Sequence, residues 1–141
     1  MSTRESALAA LKALLAAALP GADVKRNVDV PQSVGPGGLA VLRDGEPGEP
    51  EVSLSPPLYA FDHRAELELY IERRDDTEMV LDALLADIGD ALAADRTLGG
   101  RVDHCEPTAP TLEPLSGDGG DPLRVARLSI LLIYVTASPL G

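Results

Sequence analysis

The sequence has few of the residues that build large cores or carry metal and redox chemistry. Its 141 residues include no Trp, one Phe, one Cys and two His. Aromatic side chains bury the largest areas, so the core has to be built from Leu, Val and Ile. A lone cysteine excludes a disulfide within the chain and makes a reducing compartment the default expectation. Because a small domain buries a modest fraction of its surface, we expect association with other chains to contribute to stability.

Positive charge is also scarce. Twelve Lys and Arg residues stand against 23 Asp and Glu residues, which gives a net charge of −11. Sequence-independent DNA binding needs Lys and Arg side chains to displace counterions from the phosphates. No run of more than two basic residues occurs, so the sequence does not predict DNA binding through a basic patch.

Hydrophobic runs are short. The most apolar one, "LSILLIYV" at 128–135, has eight residues, well below the roughly 20 needed to span a bilayer. The N-terminal Ala/Leu stretch is similar in composition to a signal peptide, but Glu5 and Lys12 interrupt it. Ser2 and Glu5 also have the spacing of a capping box. We therefore expect a folded helix over residues 3–19 and no membrane segment.

Hydrophobic periodicity predicts the other elements. Alternation of apolar and polar residues is typical of strands, and a Leu/Ile stripe at spacings of three and four is typical of a helix. The predicted strands are 23–30, 39–43, 52–55, 65–73, a short one around Val102, and about 123–136; the predicted helix is 77–97, ended by Gly99 and Gly100. This order predicts a single α+β domain over 1–141, with a mixed or antiparallel sheet of about four to six strands and two main helices packed on one face.

The last predicted strand is the most apolar segment of the chain. Its even-numbered residues are apolar throughout, whereas its odd-numbered residues become apolar only at Leu131, Ile133 and Val135. A strand that is apolar on both faces is covered on both faces, in the interior of a domain or of an assembly. We therefore expect one face to be buried along the whole strand and the second face in its last third, either by a helix or by another chain.

No set of residues predicts catalysis or metal binding. His104 and Cys105 are neighbours in an extended segment, so their side chains point to opposite faces, and a site would need His63 to meet both of them. "GPGG" at 35–38 lacks the Gly-Lys-Ser/Thr of a phosphate loop. "GDGGDP" at 117–122 lacks the ligand spacing of a calcium loop and is typical of a hairpin turn. The prediction is a protein that is not an enzyme and holds no cofactor or metal.

Two segments are candidates for contacts with partners. Glu66, Glu68 and Glu72 line one face of a predicted strand, which indicates either a solvated surface or half of an ion-paired interface. The candidate cationic partners are Arg64, Arg73, Arg74, Arg124 and Arg127. The Pro- and Gly-rich stretch 106–122 is predicted to be a loop, and structureless loops of this length inside a compact domain are usually functional.

Several phrases of the sequence carry a resemblance to a known family. They are "ALLAAALPGADVKRN", the Gly-Pro stretch before "GGLAVLRDGEP", the strand "AELELYIERR" and the closing "RVARLSILLIYVTASPLG". With the predicted order of a helix, three short strands, a long strand, a second helix and one or two strands, they resemble the tail terminator family of long-tailed bacteriophages and gene-transfer-agent particles, the tail-completion proteins similar to minor tail protein U. The resemblance covers nearly the whole chain.

The resemblance implies a structural protein of the virion. It implies a homo-oligomeric ring, a hexamer, at the head-proximal end of the tail, made in the host cytoplasm. Such a ring stops polymerisation of the tail tube protein and offers a joining surface to the head–tail connector protein. DNA passes through the ring without specific binding, and an acidic lumen would repel its phosphates. The family has no catalytic signature and implies no membrane association.

Residues for these contacts follow from the ring hypothesis. The predicted subunit interface comprises Glu66, Glu68, Arg127, Leu131, Ile133 and Val135. The predicted loop contacting the tube or the connector includes Glu113, Leu115, Asp118 and Asp121. Other hypotheses remain open at this point: a head–tail connector or neck component, and, from different classes, a small cytosolic binding module or an enzyme.

Overall fold

The described residues fold as a seven-stranded mixed sheet with two helices, as seen in a computed structural model. The structure describes residues 1–31, 33–72, 74–114 and 123–141. The elements are α1 (Thr3–Ala18), β1 (Asp23–Arg26), β2 (Leu39–Glu46), β3 (Glu51–Ser53), β4 (Leu58–Glu72), α2 (Thr77–Ala94), β5 (His104–Pro107), β6 (Thr111–Pro114) and β7 (Leu123–Thr136). The predicted α+β class with a mixed sheet is confirmed, but the sheet has seven strands where about four to six were predicted.

The two longest strands form the centre of the sheet. The strand order is β1-β2-β4-β7-β5, with β3 beside the start of β4 and β6 beside the start of β7. β4 and β7 pair antiparallel over fourteen residue pairs, from Tyr59 opposite Thr136 to Glu72 opposite Leu123. Among the strands of the described residues, only the pairing of β1 with β2 is parallel. All other pairs of strands are antiparallel.

Each helix begins or ends through a local hydrogen bond. The Ser2 hydroxyl accepts a hydrogen bond from the Glu5 N–H at 3.1 Å, which confirms the predicted N-cap of α1. The second helix ends three residues before the predicted residue 97. The reason is a turn that follows it, in which the Asp95 carboxylate accepts from the Gly99 N–H at 3.0 Å.

The helices cover one face of the sheet, which we call the inner face. On it lie the odd-numbered residues of β4 and the even-numbered residues of β7, the central pairs being Leu67 with Leu128 and Leu69 with Ala126. The apolar stripes of both helices pack against them, so the main core is built from aliphatic side chains as the composition predicts. The central side chains bury essentially all of their surface, for example Leu67 at 0% exposure and Leu132 at 0%.

The opposite face of the sheet, which we call the outer face, has a separate small core at one end. Leu39, Val41, Tyr70 and Val125 are buried there, and Val28 and Val34 from the loop between β1 and β2 pack against them. The prediction that a helix buries the outer face of the last strand in its last third is therefore wrong, and burial there by another chain stays a prediction. The loop covers the first third instead, and Val135 in the last third is 44% exposed.

Several predicted boundaries also differ from the structure; the strand predicted at 23–30, for example, ends at Arg26. The strand predicted at 65–73 begins seven residues earlier, as β4, since "LYAFDHR" continues its alternation. The strand predicted around Val102 begins at His104. The predicted loop 106–122 contains the end of β5 and all of β6, which together run along one edge of β7.

Prolines are concentrated on that edge. β5 ends at Pro107 and β6 at Pro114, and Pro110 lies between the two strands. Proline has no N–H to donate to a ladder and is tolerated on edge strands. Thr108 bridges the gap between the two strands, since its N–H donates to the Ser129 carbonyl at 2.8 Å. Composition alone predicted a loop here, because the sequence pattern does not show that β7 supplies the pairing partner.

One glycine marks a bulge in β2. The register between β2 and β4 shifts between Arg43 and Glu46, and Gly45 in this bulge has φ +66°. A side chain at this position would place its Cβ 1.9 Å from the Arg64 carbonyl oxygen, so only glycine fits. The bulge brings Glu46 opposite Arg64 on the outer face, while Asp44 lies on the other side of the strand.

Candidate assembly surface

The predicted interface residues lie together on the outer face of the sheet. β4 contributes Glu66 and Glu68 there, and β7 contributes Arg127, Leu131, Ile133 and Val135. They form two groups that differ in their bonding. The three polar residues occupy the middle of the face and interact within the chain, whereas the three apolar residues occupy the end that no core cluster covers.

Glu68 is the centre of the polar group. Its carboxylate accepts from Arg43 Nε at 2.8 Å and from Arg127 Nε at 3.3 Å. The buried Tyr70 hydroxyl donates to the same carboxylate at 3.0 Å, and burial raises the pKa of Tyr70. The side chain of Glu68 is only 13% exposed, so these bonds satisfy a carboxylate that has lost most of its water.

The remaining predicted charged residues are distributed over several interactions. Glu66 accepts from the Ser129 hydroxyl at 3.0 Å. Arg74 pairs with Asp76 at 2.7 Å, and Arg124 lies 3.8 Å from Glu78. Arg73, predicted as a further partner, lies outside the described residues. Arg43 was not predicted, although the opposite charges of "LAVLR" and "AELELY" would have indicated it once the two strands were paired.

The apolar group belongs to a patch that we call the open half of the outer face. It comprises Leu58 and Ala60 of β4 and Leu131, Ile133 and Val135 of β7. Leu58 is 39% exposed and Val135 is 44% exposed, while Leu131 and Ile133 are half-buried by the neighbouring strands. Single exposed apolar residues are ordinary, but a contiguous group on a sheet face is typical of a contact surface.

The predicted contact loop is only partly within the described residues. Glu113 lies in β6, on the edge of the sheet beside Val125. Leu115, Asp118 and Asp121 lie outside the described residues, as does the predicted turn at 117–122.

The two histidines and the cysteine do not converge. His63 and Cys105 lie on the inner face, opposite Leu132 on either side of β7, and both are buried. His104 lies on the outer face, opposite Ile133. Burial raises the pKa of the Cys105 thiol, which disfavours the reactive thiolate. In the described ranges, no group of three or more His, Cys, Asp or Glu side chains could hold a metal ion.

His63 is part of a buried polar network that sequence reasoning missed. Its Nε2 donates to the Asp44 carbonyl, and its Nδ1 accepts from the Tyr134 hydroxyl at 2.8 Å. This assignment follows because a carbonyl oxygen can only accept, which fixes the neutral tautomer. Burial lowers the pKa of His63, so the ring is neutral in the folded protein at neutral pH.

The same network continues through Arg26. Its guanidinium donates two hydrogen bonds to Asp44, the shorter at 2.7 Å, and two to Glu5 at 2.7 Å. Hydrogen bonds from Arg26 lower the pKa of both carboxylates. The network joins the start of α1 to β1, β2, β4 and β7, so its position indicates a structural role.

Two of the concave surfaces formed by the described residues lie beside the helices. A shallow groove of about 580 Å³ separates α1 from the end of α2 and is lined mainly by alanines, with Leu14 and Leu98. A smaller cavity of about 160 Å³ lies between α2 and the edge of β6 and β7. Arg124 lines this cavity, and its Nε is buried without a hydrogen-bond partner among the described residues.

Two comparisons of the sequence with known proteins gave no match. No protein-family model matches the chain, and no curated protein sequence matches it. Within the described part of the chain, neither helix is long and apolar enough to cross a membrane. The arrangement described above is therefore the basis for a functional hypothesis.

Proposed function

We propose that the protein is a structural component of a long-tailed phage or gene-transfer-agent particle, where it forms a ring that terminates the tail tube. The resemblance of the sequence phrases to the tail terminator family supports this role. The structural observation that carries it is the open half of the outer face, an apolar sheet surface that suits contact with another protein chain. Such a ring would present one rim to the tube and the other to the head.

The distribution of polar bonds refines the proposed subunit contact. Glu66, Glu68 and Arg127 use their bonding groups within the chain, so they contribute less to a contact with a neighbour. Leu131, Ile133 and Val135 have no such internal partners and are the apolar candidates for burial between subunits. A heterologous contact that closes on itself produces a ring of fixed subunit number.

The charge of the protein agrees with a ring through which DNA passes. Successive turns of α2 expose the carboxylates of Glu78, Asp82, Asp87 and Asp90. An acidic surface repels phosphates and prevents DNA from adhering to a wall beside it. The net charge of −11 makes such repulsion effective within a Debye length, which is roughly 8 Å at physiological ionic strength.

Tail length in particles from a producing strain tests the proposal. Deletion of the gene is expected to give overlong tail tubes without heads, as seen by electron microscopy, because nothing stops polymerisation. Ile133→Asp is expected to give the same defect, because it places a charge in the subunit contact. Val52→Asp is the matched control, since Val52 is an exposed apolar residue on β3 outside the open half, and normal particles are expected.

Two other outcomes would contradict the proposal. Tails of normal length that lack heads after gene deletion would indicate a head–tail connector. Intact, infectious or DNA-transferring particles after deletion would exclude an assembly role.

A further inference from the structure

The open half of the outer face carries charges in a pattern that can be read from the strand register. In one row across the sheet, Arg64 of β4, Leu131 of β7 and Glu106 of β5 lie side by side. Residues that pair across strands point to the same face. The row is therefore positive on one side of an apolar centre and negative on the other.

The next row has the opposite order. Asp62 of β4, Ile133 of β7 and His104 of β5 lie side by side. This row is negative on the β4 side and has a ring nitrogen that can donate a hydrogen bond on the β5 side. We call the four polar residues of these rows, which alternate around the apolar side chains of β7, the checkerboard: Arg64, Glu106, Asp62 and His104.

The polar residues of the checkerboard make few interactions within the chain. Arg64 and Asp62 are exposed and form no ion pair in the described structure, although Glu46 lies opposite Arg64 in the register. His104 lies 3.8 Å from Glu106, a distance too long for a hydrogen bond. These groups remain able to pair with another molecule.

We propose that the free protein forms a two-fold symmetric dimer through the open half of its outer face. A two-fold axis parallel to β7, between two facing sheets, places β7 over β7 and β4 over the β5 strand of the second copy. Arg64 of each copy then faces Glu106 of the other, and Asp62 faces His104. An isologous contact makes each pair twice, so the checkerboard is complementary to itself.

The apolar residues select this axis over the alternative. With the axis along β7, Ile133 and Val135 face the same residues of the second copy, and packed sheets keep their strands nearly aligned. An axis across the strands would also bring opposite charges together. It would, however, place the apolar Val135 over the polar Ser129, which is hydrogen-bonded to Glu66. Less apolar surface would then be buried between the two copies.

The size of the patch predicts a weak dimer. Five apolar and four polar residues per copy are well below the roughly 20–30 residues a side of a stable interface. Such a contact forms and dissociates readily. If the proposed function holds, the dimer occupies the subunit contact of the ring until a tail tube displaces it, which would limit ring formation away from the tube.

Sedimentation equilibrium over a concentration series, from micromolar to near-millimolar, tests the dimer directly. The expected result is a reversible shift in mass from 14.7 kDa towards twice that value. A monomer at every concentration would overturn the proposal. A hexamer in the absence of tubes would also overturn it, because a ring contact would then be preferred to the two-fold contact.

Charge reversal tests the geometry. Arg64→Glu and Glu106→Arg are each expected to abolish the dimer, because each places two like-charged pairs in the contact. The double variant Arg64→Glu/Glu106→Arg is expected to restore it. Both residues are exposed, so folding is retained and is checked by circular dichroism. A double variant that stays monomeric, or single variants that dimerise like the parent, would exclude this arrangement.

An apolar substitution pair supplies the matched control. Ile133→Asp is expected to abolish the dimer, whereas Val52→Asp on β3 is expected to leave it unchanged. Equal loss in both variants would assign association to general surface hydrophobicity and overturn the proposal. Since these measurements use the purified protein alone, their failure is distinct from failure of tail termination, which is scored on particles.

Discussion

The two faces of β7 differ in what they contribute, although they belong to one continuous strand. On the inner face, Leu128, Ile130 and Leu132 pack under the helices and are almost fully buried. On the outer face, Arg127 is bonded within the sheet while Ile133 and Val135 remain partly exposed. The inner face specifies the fold of one chain, and the outer face is available for contacts between chains.

Truncation of neighbouring leucines is the strongest way to test this difference. Leu132→Ala is expected to lower the free energy of unfolding by about 2–5 kcal/mol, because it leaves a cavity in the core. Leu131→Ala, one residue away on the outer face, is expected to cost about 1 kcal/mol, because the side chain is already half exposed. Urea denaturation at low protein concentration measures both. Equal losses would show that the outer face is as well packed as the inner one.

Removal of one carboxylate tests the polar middle of the outer face. Glu68→Gln is expected to cost about 2 kcal/mol, since it weakens charged hydrogen bonds to Arg43 and Arg127. Glu72→Gln, at an exposed position of the same strand, is expected to change stability by less than about 0.5 kcal/mol. The comparison uses urea midpoints at constant m-value. A neutral effect of Glu68→Gln would mean that the ion cluster is a solvated surface feature.

The burial of His63 on the inner face predicts that the stability of the protein depends on pH. Its folded pKa lies below the unfolded value of 6.5, so the unfolded chain binds the proton first as pH falls. Stability is therefore expected to decrease below pH 6.5, with a slope of at most about 1.4 kcal/mol per pH unit. Data above about pH 5.5 largely avoid titration of Glu5 and Asp44 in the unfolded chain, because the ordinary pKa values of these carboxylates are 4.5 and 3.8.

Variants of the two histidines show which residue causes this pH dependence of stability. His63→Gln is expected to flatten the dependence between pH 6.5 and about pH 5.5, whereas His104→Gln on the outer face is expected to preserve it. Thermal or urea unfolding across the pH series gives both results. A slope that survives His63→Gln would place the titrating group elsewhere.

The reactivity of a thiol on each face tests the same difference with the smallest expected effect on the protein. Cys105 is fully buried and its pKa is raised by burial, so reaction with a thiol reagent is expected only through opening of the structure. In a Cys105→Ser background, His104→Cys is expected to react rapidly, because the side chain at this position is 44% exposed. Similar rates for the two thiols would contradict the assignment of adjacent residues to opposite faces.

Local patterns in the sequence account for much of the fold. The limits of β7 agree with the predicted 123–136, since period-two alternation continues until a turn follows. The cap at Ser2 was predicted because it depends on residues three apart. Both features are set by neighbours in the chain, so they can be read without knowledge of tertiary structure.

The features that the sequence did not reveal depend on distant pairing. Glu68 meets Arg43 only after the register of β2 and β4 is fixed. The loop that carries Val28 and Val34 covers the outer face through tertiary packing, which periodicity does not encode. β5 and β6 contain prolines typical of loops, and they become strands because β7 offers an edge to pair with.

The prolines on the sheet edge formed by β5 and β6 have a consequence for aggregation of the protein at high concentration. A bare sheet edge recruits further strands, the route by which soluble proteins convert into fibrils. Pro107, Pro110 and Pro114 interrupt the row of donors along this edge, so an incoming strand finds an incomplete template. Extension of the sheet from one molecule into the next along this edge is therefore disfavoured, which protects the protein from edge-to-edge aggregation at high concentration.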